Sequence, residues 1–160
     1  MRAIPLTNGK IARVSDSDFA YLRRWSWGYM KTRQNGEYAR RTTRDCRGHQ
    51  PLMHEVVARR MRLRAPQVDH CNGDKLDNRR GNLRPATNSQ NKANEGLRRN
   101  NTSGFKGVCW SSSAGRWMAR IKVNYKGIHL GYFARKVDAA RAYNRAAQRY
   151  FGEYAQLNKV

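Results

Sequence analysis

The stretch from Val68 to Arg84 constrains the chain most, because reactive side chains alternate there with turn-forming ones. Asp69 and His70 are adjacent at the end of a short apolar lead-in. A turn-rich segment follows, then Asn82, and then a polar segment that contains Asn91. An imidazole, a carboxylate and two carboxamides within 23 residues can build a compact site for a metal ion and a water molecule. The sequence therefore predicts a hydrolytic centre in the middle of the chain.

The net charge of +22 indicates a polyanionic partner. Residues 1–68 hold 15 basic and 5 acidic side chains, and residues 96–160 hold 13 and 2. Residues 69–95 hold 5 and 4, so a nearly neutral centre lies between two basic flanks. This pattern favours a nuclease over an RNA-binding or ribosomal protein, which has no need of a neutral island. Double-stranded DNA is the expected partner, and the sequence indicates no protein partner.

Membrane association and export find no support in the sequence. No apolar run approaches the length of a membrane span, and the first residues lack the apolar core of a signal peptide. We therefore expect a cytoplasmic protein. The three cysteines are far apart and form no C-x-x-C pair, so we expect reduced thiols at Cys46, Cys71 and Cys109.

Turn signals and apolar spacing predict a small β module and a helix before the centre. Asn8-Gly9 and Asn35-Gly36 each predict a hairpin, the second with a strand that ends near residue 43. Apolar residues at helical spacing predict a helix over residues 51–61, which includes His54. Two interpretations of His54 stay open: a polar helix residue that makes a hydrogen bond, or a side chain that faces the active site and either supports the catalytic residues or contacts a phosphate.

Hydrolysis of a phosphodiester requires a base for water, a cation that offsets transition-state charge, and stabilisation of the leaving 3′ oxygen. His70 is the candidate base, because an unperturbed imidazole has a pKa near neutrality. Asn82 is the candidate that holds its tautomer. Asp69 and Asn91 offer oxygen ligands to a hard cation such as Mg²⁺.

These residues resemble the HNH (ββα-metal) nuclease motif, and the Asn-Gly-Asp-Lys…Asn-Arg…Asn-Leu run is similar to its phage homing-endonuclease branch. The resemblance implies that His70 is the general base and that Asn82 orients it. It also implies that Asp69 and Asn91 bind one divalent metal ion. Asn91 stands where the name-giving pattern has histidine, which argues for Mg²⁺ or Mn²⁺ over zinc or nickel. Two alternatives for that ligand lie one helical turn away, at Asn88 and Asn94.

Three further residues near this motif are interpreted differently. His54 matches a histidine that is common in the helix before the motif, so it is a possible supporting residue behind the catalytic side chains. Asp74 and Asp77 are interpreted as turn residues, because Asn-Gly-Asp is typical of turns.

A phage origin, which the resemblance implies, would place the protein in a bacterial host cell.

The last third of the chain predicts a sheet and a helix. Residues 95–104 are polar and contain glycine, so they predict a linker in which Arg98 and Arg99 track phosphates. Three strands follow, over 105–110, 117–123 and 128–133, and then a helix over 136–151. In the middle strand, alternation places Arg120 and Lys122 on an exposed basic face.

This unit resembles the plant Apetala-two / ethylene-response-factor DNA-binding domain. The matching landmarks are Ser103-Gly104-Phe105-Lys106-Gly107-Val108, Gly115-Arg116-Trp117, His129-Leu130-Gly131-Tyr132-Phe133 and Asp138-Ala139-Ala140-Arg141-Ala142-Tyr143. The resemblance implies DNA contacts from the open sheet face. The residues at matching or neighbouring positions are Lys106, Trp110, Arg120, Lys122 and His129. Cys109 and Ser111 stand where that family often has arginines, so its sequence preference is not transferred.

The complete prediction is an α+β protein with two modules. A small β module with a ββα-metal (HNH) nuclease centre spans residues 1–95, and a basic linker spans 96–102. A three-stranded antiparallel sheet packed on one helix spans 103–160. The predicted function is a metal-dependent DNA endonuclease of the nicking or homing type, with 5′-phosphate and 3′-hydroxyl products. The alternative is a non-catalytic DNA-binding regulator with a vestigial nuclease centre.

Overall fold

A computed structural model describes residues 1–32, 36–42 and 50–160 of the chain. Over these residues the fold is mixed α+β, with four α-helices and four small sheets. The chain divides into two compact units, Met1–Ala86 and Thr87–Val160. Asn35, the strand end near residue 43 and Cys46 lie outside the described residues. Within the described ranges, no helix has the length and apolar character to cross a membrane.

A hairpin opens the N-terminal unit, as the Asn8-Gly9 pair predicts. Its strands are β1 (Arg2–Pro5) and β2 (Ile11–Val14), which pair in antiparallel fashion. Gly9 has a φ of +83°, in the left-handed region that glycine adopts without a steric cost. The local turn chemistry therefore sets this hairpin.

Two helices and a second strand pair complete the core of this unit. Their bounds are α1 (Asp16–Leu22), β3 (Trp27–Lys31), β4 (Glu37–Arg41) and α2 (Met53–Arg60). Trp27 is 1% exposed, and its indole N–H donates to the Leu22 carbonyl at 2.9 Å. Met53 and Val57 of α2 pack into the same apolar cluster. The helix predicted over residues 51–61 is confirmed.

The central segment forms three short strands, β5 (Gln67–His70), β6 (Asp77–Asn78) and β7 (Leu83–Ala86). β5 and β7 are antiparallel, with Asp69 opposite Arg84 and His70 opposite Leu83. β6 pairs in parallel with β2. The segment between β5 and β7 is therefore anchored to the N-terminal hairpin rather than left as an open loop.

A buried carboxylate links three segments of the N-terminal unit. Asp18 of α1 is fully buried and accepts hydrogen bonds from Arg60 of α2 and from Arg80, at 2.6 to 2.8 Å. The hydrogen bonds from Arg80 contribute most, and those from Arg60 contribute less, to holding the pKa of Asp18 below its usual value. Removal of one partner from a buried ion pair costs about 3–5 kcal/mol, so these bonds fix α1 to α2 and to the turn before β7.

The C-terminal unit contains a three-stranded antiparallel sheet and two helices. Its elements are α3 (Asn88–Asn94), β8 (Val108–Ser111), β9 (Arg116–Val123), β10 (Lys126–Phe133) and α4 (Lys136–Phe151). The strand order is β10-β9-β8, and α4 packs on one face of the sheet. Alanines 139, 140 and 147 are buried and allow a close approach of α4 to Ala119 and Ile121. The predicted succession of three strands and a helix is confirmed.

A close approach of chain and helix explains Gly107. Gly107 has a φ of +74°, and a Cβ atom there would lie 2.0 Å from the Tyr143 ring. Tyr143 is buried in α4. Only glycine provides both the backbone conformation and the space.

α3 is hydrogen-bonded into the C-terminal unit near both of its ends. The Ser89 hydroxyl accepts from the N–H of Asn124 at 3.1 Å. The Ala93 carbonyl accepts from the N–H of Gln156 at 3.1 Å. The boundary between the two units accordingly falls before α3, a helix that the sequence alone grouped with the nuclease domain.

Candidate active site

β5 carries the two predicted residues at the heart of the site. Asp69 is fully buried and His70 is 1% exposed. Successive side chains of a strand leave it on opposite faces, so the carboxylate and the imidazole diverge from β5. Burial of a charged carboxylate requires compensating partners, and the structure provides them.

Two cations neutralise Asp69. Arg84 lies directly across the strand pair and donates from Nε and Nη2 to Oδ2, at 3.0 and 2.9 Å. The ammonium of Lys75 lies 3.7 Å from Oδ1. These two cations compensate the buried carboxylate, and a metal ion bound to Asp69 would compete with them.

His70 is held in its neutral form. The pKa of His70 is lowered to about 4, mainly by burial and secondly by the nearby ammonium of Lys75. Nε2 of the ring lies 3.4 Å from Oδ1 of Asn78. An acceptor at Nε2 favours the tautomer with its proton on that nitrogen, and this tautomer has its lone pair on Nδ1. The sequence analysis did not predict Asn78 at this position.

His54 lies beside His70, so the structure places it where the second of its two interpretations requires. The two rings meet edge to face, with their centroids 5.1 Å apart. On its other side, the His54 ring lies 5.5 Å from the ring of Tyr38. The pKa of His54 is lowered to about 3, mainly by burial and secondly by repulsion from the protonated form of His70. α2 thus provides a ring that packs against the imidazole of His70, and β4 provides a ring that packs against His54.

Asn82 braces the segment between β5 and β7. Its amide donates to the Asp77 carbonyl at 2.7 Å, and its Oδ1 accepts from the N–H of Asn72 at 3.0 Å. The residue is 7% exposed. The structure places Asn82 in the role of holding this segment, while Asn78 of the same segment contacts the imidazole. The predicted action of Asn82 on His70 would therefore pass through the backbone.

Asp74 and Asp77 differ in their environments. Asp74 is a turn residue, as predicted: its N–H donates to Oδ1 of Asn72, and its Oδ1 accepts from the N–H of Leu76, each at 2.9 Å. The same interpretation of Asp77 is wrong, because Asp77 lies in β6 and is fully buried. Its carboxylate accepts two bonds from Arg79 at 2.7 Å, which hold its pKa below the usual value.

The donor chemistry of the site fits one hard divalent cation, as the sequence predicts. No three His, Cys, Asp or Glu side chains gather into a metal-binding group within the described part of the chain. A site built on one carboxylate and amide oxygens does not need such a group, and Mg²⁺ commonly uses one or two carboxylates with waters. Asp69 is the carboxylate that would hold the ion.

The remaining predicted ligand, Asn91, lies on α3 in the C-terminal unit. A capping box fixes the start of this helix, with Thr87 Oγ1 accepting from the Gln90 N–H and Gln90 Oε1 from the Thr87 N–H. The alternatives Asn88 and Asn94 lie on the same helix. The assignment of Asn91 as a metal ligand stays a prediction.

Comparison with known proteins agrees with this centre. Residues 52–93 match a family model described as HNH endonuclease. The matched residues are called the HNH segment below. It begins just before α2 and ends within α3, so it includes β5, β7 and every predicted catalytic and metal-binding residue.

One curated relative of the chain is a viral protein. It is described as an uncharacterized HNH endonuclease of Acanthamoeba polyphaga mimivirus, and it is 34% identical over 93 residues. The aligned part covers 58% of this chain and 47% of the relative, so the chain spans about half the length of the curated relative it matches. No solved structure gives a significant match.

Beyond the HNH segment, the open face of the C-terminal sheet carries three of the seven predicted DNA contacts. Arg120 and Lys122 of β9 are exposed, and His129 of β10 lies directly opposite Arg120. The His129 ring packs on Tyr132, with centroids 4.7 Å apart. Arg98 and Arg99 are exposed in the segment between α3 and β8. A polyanion that approached this face would meet cations and aromatic rings together.

Trp110 lies on the other face of this sheet. It pairs with Trp117 across β8 and β9, and the two rings meet edge to face at 5.2 Å. Directly opposed residues share a face, and Trp117 is on the face that α4 covers. Trp110 is half exposed at the edge of that face. The register therefore separates it from Arg120 and Lys122, with which the sequence analysis grouped it.

Lys106 caps α3. Its ammonium donates to the main-chain carbonyls of Lys92, Ala93 and Glu95 at the end of the helix. Burial lowers the pKa of Lys106 to about 8, which leaves most of it protonated at neutral pH. A cation at a helix C-terminus satisfies carbonyls that lack partners within the helix. The resemblance-based DNA contact at this position would require the ammonium to leave these bonds.

Three residues of the HNH segment escaped the sequence analysis: Lys75, Asn78 and Arg84. An arginine within an otherwise apolar strand was the available signal for Arg84, since a strand next to a buried carboxylate needs a cation. Asn78 had no comparable signal, because many asparagines surround it in the sequence. Only the fold selects which of them meets the imidazole.

Proposed function

We propose that this protein is a metal-dependent DNA endonuclease whose general base is His70. The observation that carries the proposal is the buried imidazole of His70, whose pKa is lowered, next to the buried carboxylate of Asp69, within a segment that matches the HNH family. A neutral imidazole can accept a proton at physiological pH, and an ionised carboxylate can hold a cation.

In the proposed reaction, Nδ1 of His70 takes a proton from a water molecule, whose oxygen attacks the scissile phosphorus. The bond from phosphorus to the 3′ oxygen then breaks, and the leaving 3′ oxygen takes a proton from solvent water, which gives a 5′ phosphate and a 3′ hydroxyl. His70 returns its proton to solvent. Asn78 holds the proton on Nε2, and Asn82 holds the segment that carries Asn78. His54, whose ring packs edge to face on that of His70, covers one side of the imidazole.

A divalent cation, when bound, offsets the negative charge that builds up on the phosphoryl oxygens and on the leaving oxygen. Asp69 would hold it, and Asn91 is the proposed second oxygen ligand. Because these are hard oxygen donors, we propose Mg²⁺ or Mn²⁺. One such centre cuts one strand, so we propose that each chain nicks duplex DNA.

The C-terminal unit is proposed to grip the DNA. A three-stranded sheet with a helix on one face and Arg120, Lys122 and His129 on the other supports the proposed similarity to the Apetala-two / ethylene-response-factor domain. Arg98 and Arg99 extend this basic surface. We propose that residues 1–95 act as the nuclease domain and residues 103–160 as the DNA-binding domain, joined by the linker 96–102, although α3 packs in the C-terminal unit. We also propose a viral or phage homing role.

The test is plasmid nicking in Mg²⁺, in Mn²⁺ and in EDTA. We expect nicks that need metal and that disappear in His70→Ala while DNA binding persists. The matched control is His129→Ala, which removes an imidazole from the DNA-binding face and should weaken binding but retain cleavage at saturating protein.

Tight binding without nicks under every metal condition would instead support the non-catalytic regulator. That alternative has one specific observation in its favour, because Arg84 and Lys75 already neutralise Asp69.

A further inference from the structure

The two cations at Asp69 contact it in different ways. Arg84 projects from β7, directly opposite Asp69, and donates two hydrogen bonds to Oδ2 at 3.0 and 2.9 Å. Lys75 comes from the segment after β5, and its Nζ lies 3.7 Å from Oδ1, beyond hydrogen-bond length. Strand pairing therefore fixes the arginine, whereas charge attraction holds the lysine.

Lys75 also acts on the two imidazoles of the site. Its positive charge lowers the pKa of His70 and also that of His54. The side chain is 19% exposed, so it is largely enclosed with these groups. A lysine side chain has a flexible four-carbon stem and a compact charge, and it can change partners without a change in the backbone.

A divalent cation bound to Asp69 would share that carboxylate with Arg84 and Lys75. Like charges at one carboxylate repel each other, and the mobile one leaves first. A phosphate of the DNA backbone would bring negative charge to the same place and offer the displaced ammonium a charge-assisted hydrogen bond.

We propose that Lys75 is an exchangeable counter-ion, which neutralises Asp69 in the metal-free protein and turns to a DNA phosphate when a divalent cation binds. This inference rests on the proposed function, because it takes Asp69 as the metal ligand. It assigns a substrate-binding role to a residue that is not among the predicted DNA contacts.

The first measurement is the Mn²⁺ affinity of the DNA-free protein, determined by electron paramagnetic resonance. Lys75→Met should bind Mn²⁺ at least about tenfold more tightly than the wild type, because one repelling charge is gone. Lys75→Gln, which keeps a polar head, should change the affinity in the same direction. The matched control is Lys10→Met, which removes an equal charge from the Lys10–Glu37 pair of the same unit and should leave the affinity unchanged. Unchanged, weaker or undetectable Mn²⁺ binding by both Lys75 variants overturns the proposal.

The second measurement is the salt dependence of duplex DNA binding, in Ca²⁺ and in EDTA. The slope of log K against log salt should become shallower by about 0.9 in Lys75→Met when Ca²⁺ is present, because one phosphate contact is lost. In EDTA the two slopes should agree. Equal slopes in Ca²⁺, or the same loss in EDTA, overturn the phosphate role. Neither measurement depends on strand cleavage, so failure of the nuclease proposal would be seen separately in the plasmid assay.

Discussion

The bracing role of Asn82 leads to a quantitative prediction for Asn82→Ala. The substitution removes one donor and one acceptor at a side chain that is 7% exposed. The buried carbonyl of Asp77 and the partly buried N–H of Asn72 then both lose their partner. An unsatisfied buried group costs about 1–3 kcal/mol, and a lost partly exposed bond costs about 0.5–1.5 kcal/mol. We therefore expect the free energy of unfolding of the N-terminal unit to fall by about 2–4 kcal/mol.

The assay is urea unfolding in EDTA, with Trp110 and Trp117 replaced by Phe so that tryptophan fluorescence reports on the N-terminal unit alone. The midpoint should fall while the slope with denaturant stays the same, which is the behaviour of a destabilised but equally compact fold. Asn8→Ala is the control, since it removes one exposed hydrogen bond of the same unit and should change stability by less than about 0.5 kcal/mol.

A loss for Asn82→Ala no larger than that for Asn8→Ala would refute the bracing role. It would favour instead the direct action on the His70 tautomer that the HNH resemblance implies. In that case plasmid nicking would fall although the free energy of unfolding did not change.

Three further outcomes are expected. The folded protein keeps His54 and His70 neutral, so below pH 6.5 the unfolded chain binds more protons than the folded protein does. The free energy of unfolding should therefore fall as the pH is lowered from about 6.5 to 4, by on the order of 3 kcal/mol from His70. Urea midpoints that do not change with pH would contradict this. Lys106→Met should accelerate hydrogen exchange of the α3 amides and leave the salt slope of DNA binding unchanged. Lys122→Met should instead reduce that slope by about 0.9. A reduced slope in Lys106→Met would show that Lys106 contacts DNA. Gly107→Ala should destabilise the C-terminal unit by about 4 kcal/mol or more in thermal unfolding, because its Cβ would collide with an aromatic ring, and a smaller loss would show that α4 can move away.

Most of the elements could be predicted from the sequence, because turn chemistry and side-chain spacing act over a few residues. Asn8-Gly9 gives the first hairpin, and the alternation of Arg120 and Lys122 with apolar residues gives the two faces of β9. The residue types of the candidate site were also readable, since an adjacent Asp69-His70 pair followed by asparagines is unusual enough to indicate its chemistry.

Partners across the fold were decided only by tertiary structure. The register of β5 and β7 brings Arg84 to Asp69, and the register of β8 and β9 places Trp110 beside Trp117 rather than beside Arg120. Strand register is set by distant residues, and a shift of one position would reverse every face. No local pattern in the sequence contains that information.

The same reasoning applies to the polar residues whose roles depend on their neighbours. Asn78 and Asn82 have the same side chain, but the fold gives them different partners. Asn78 lies beside the imidazole of His70, whereas Asn82 is hydrogen-bonded to the backbone of the segment between β5 and β7. Lys106 has the charge of a DNA contact, yet the end of α3 binds its ammonium. The sequence thus determined which chemical groups are present and which local elements carry them. The tertiary structure decided which groups meet, because burial makes each polar group depend on the partners that packing brings within reach.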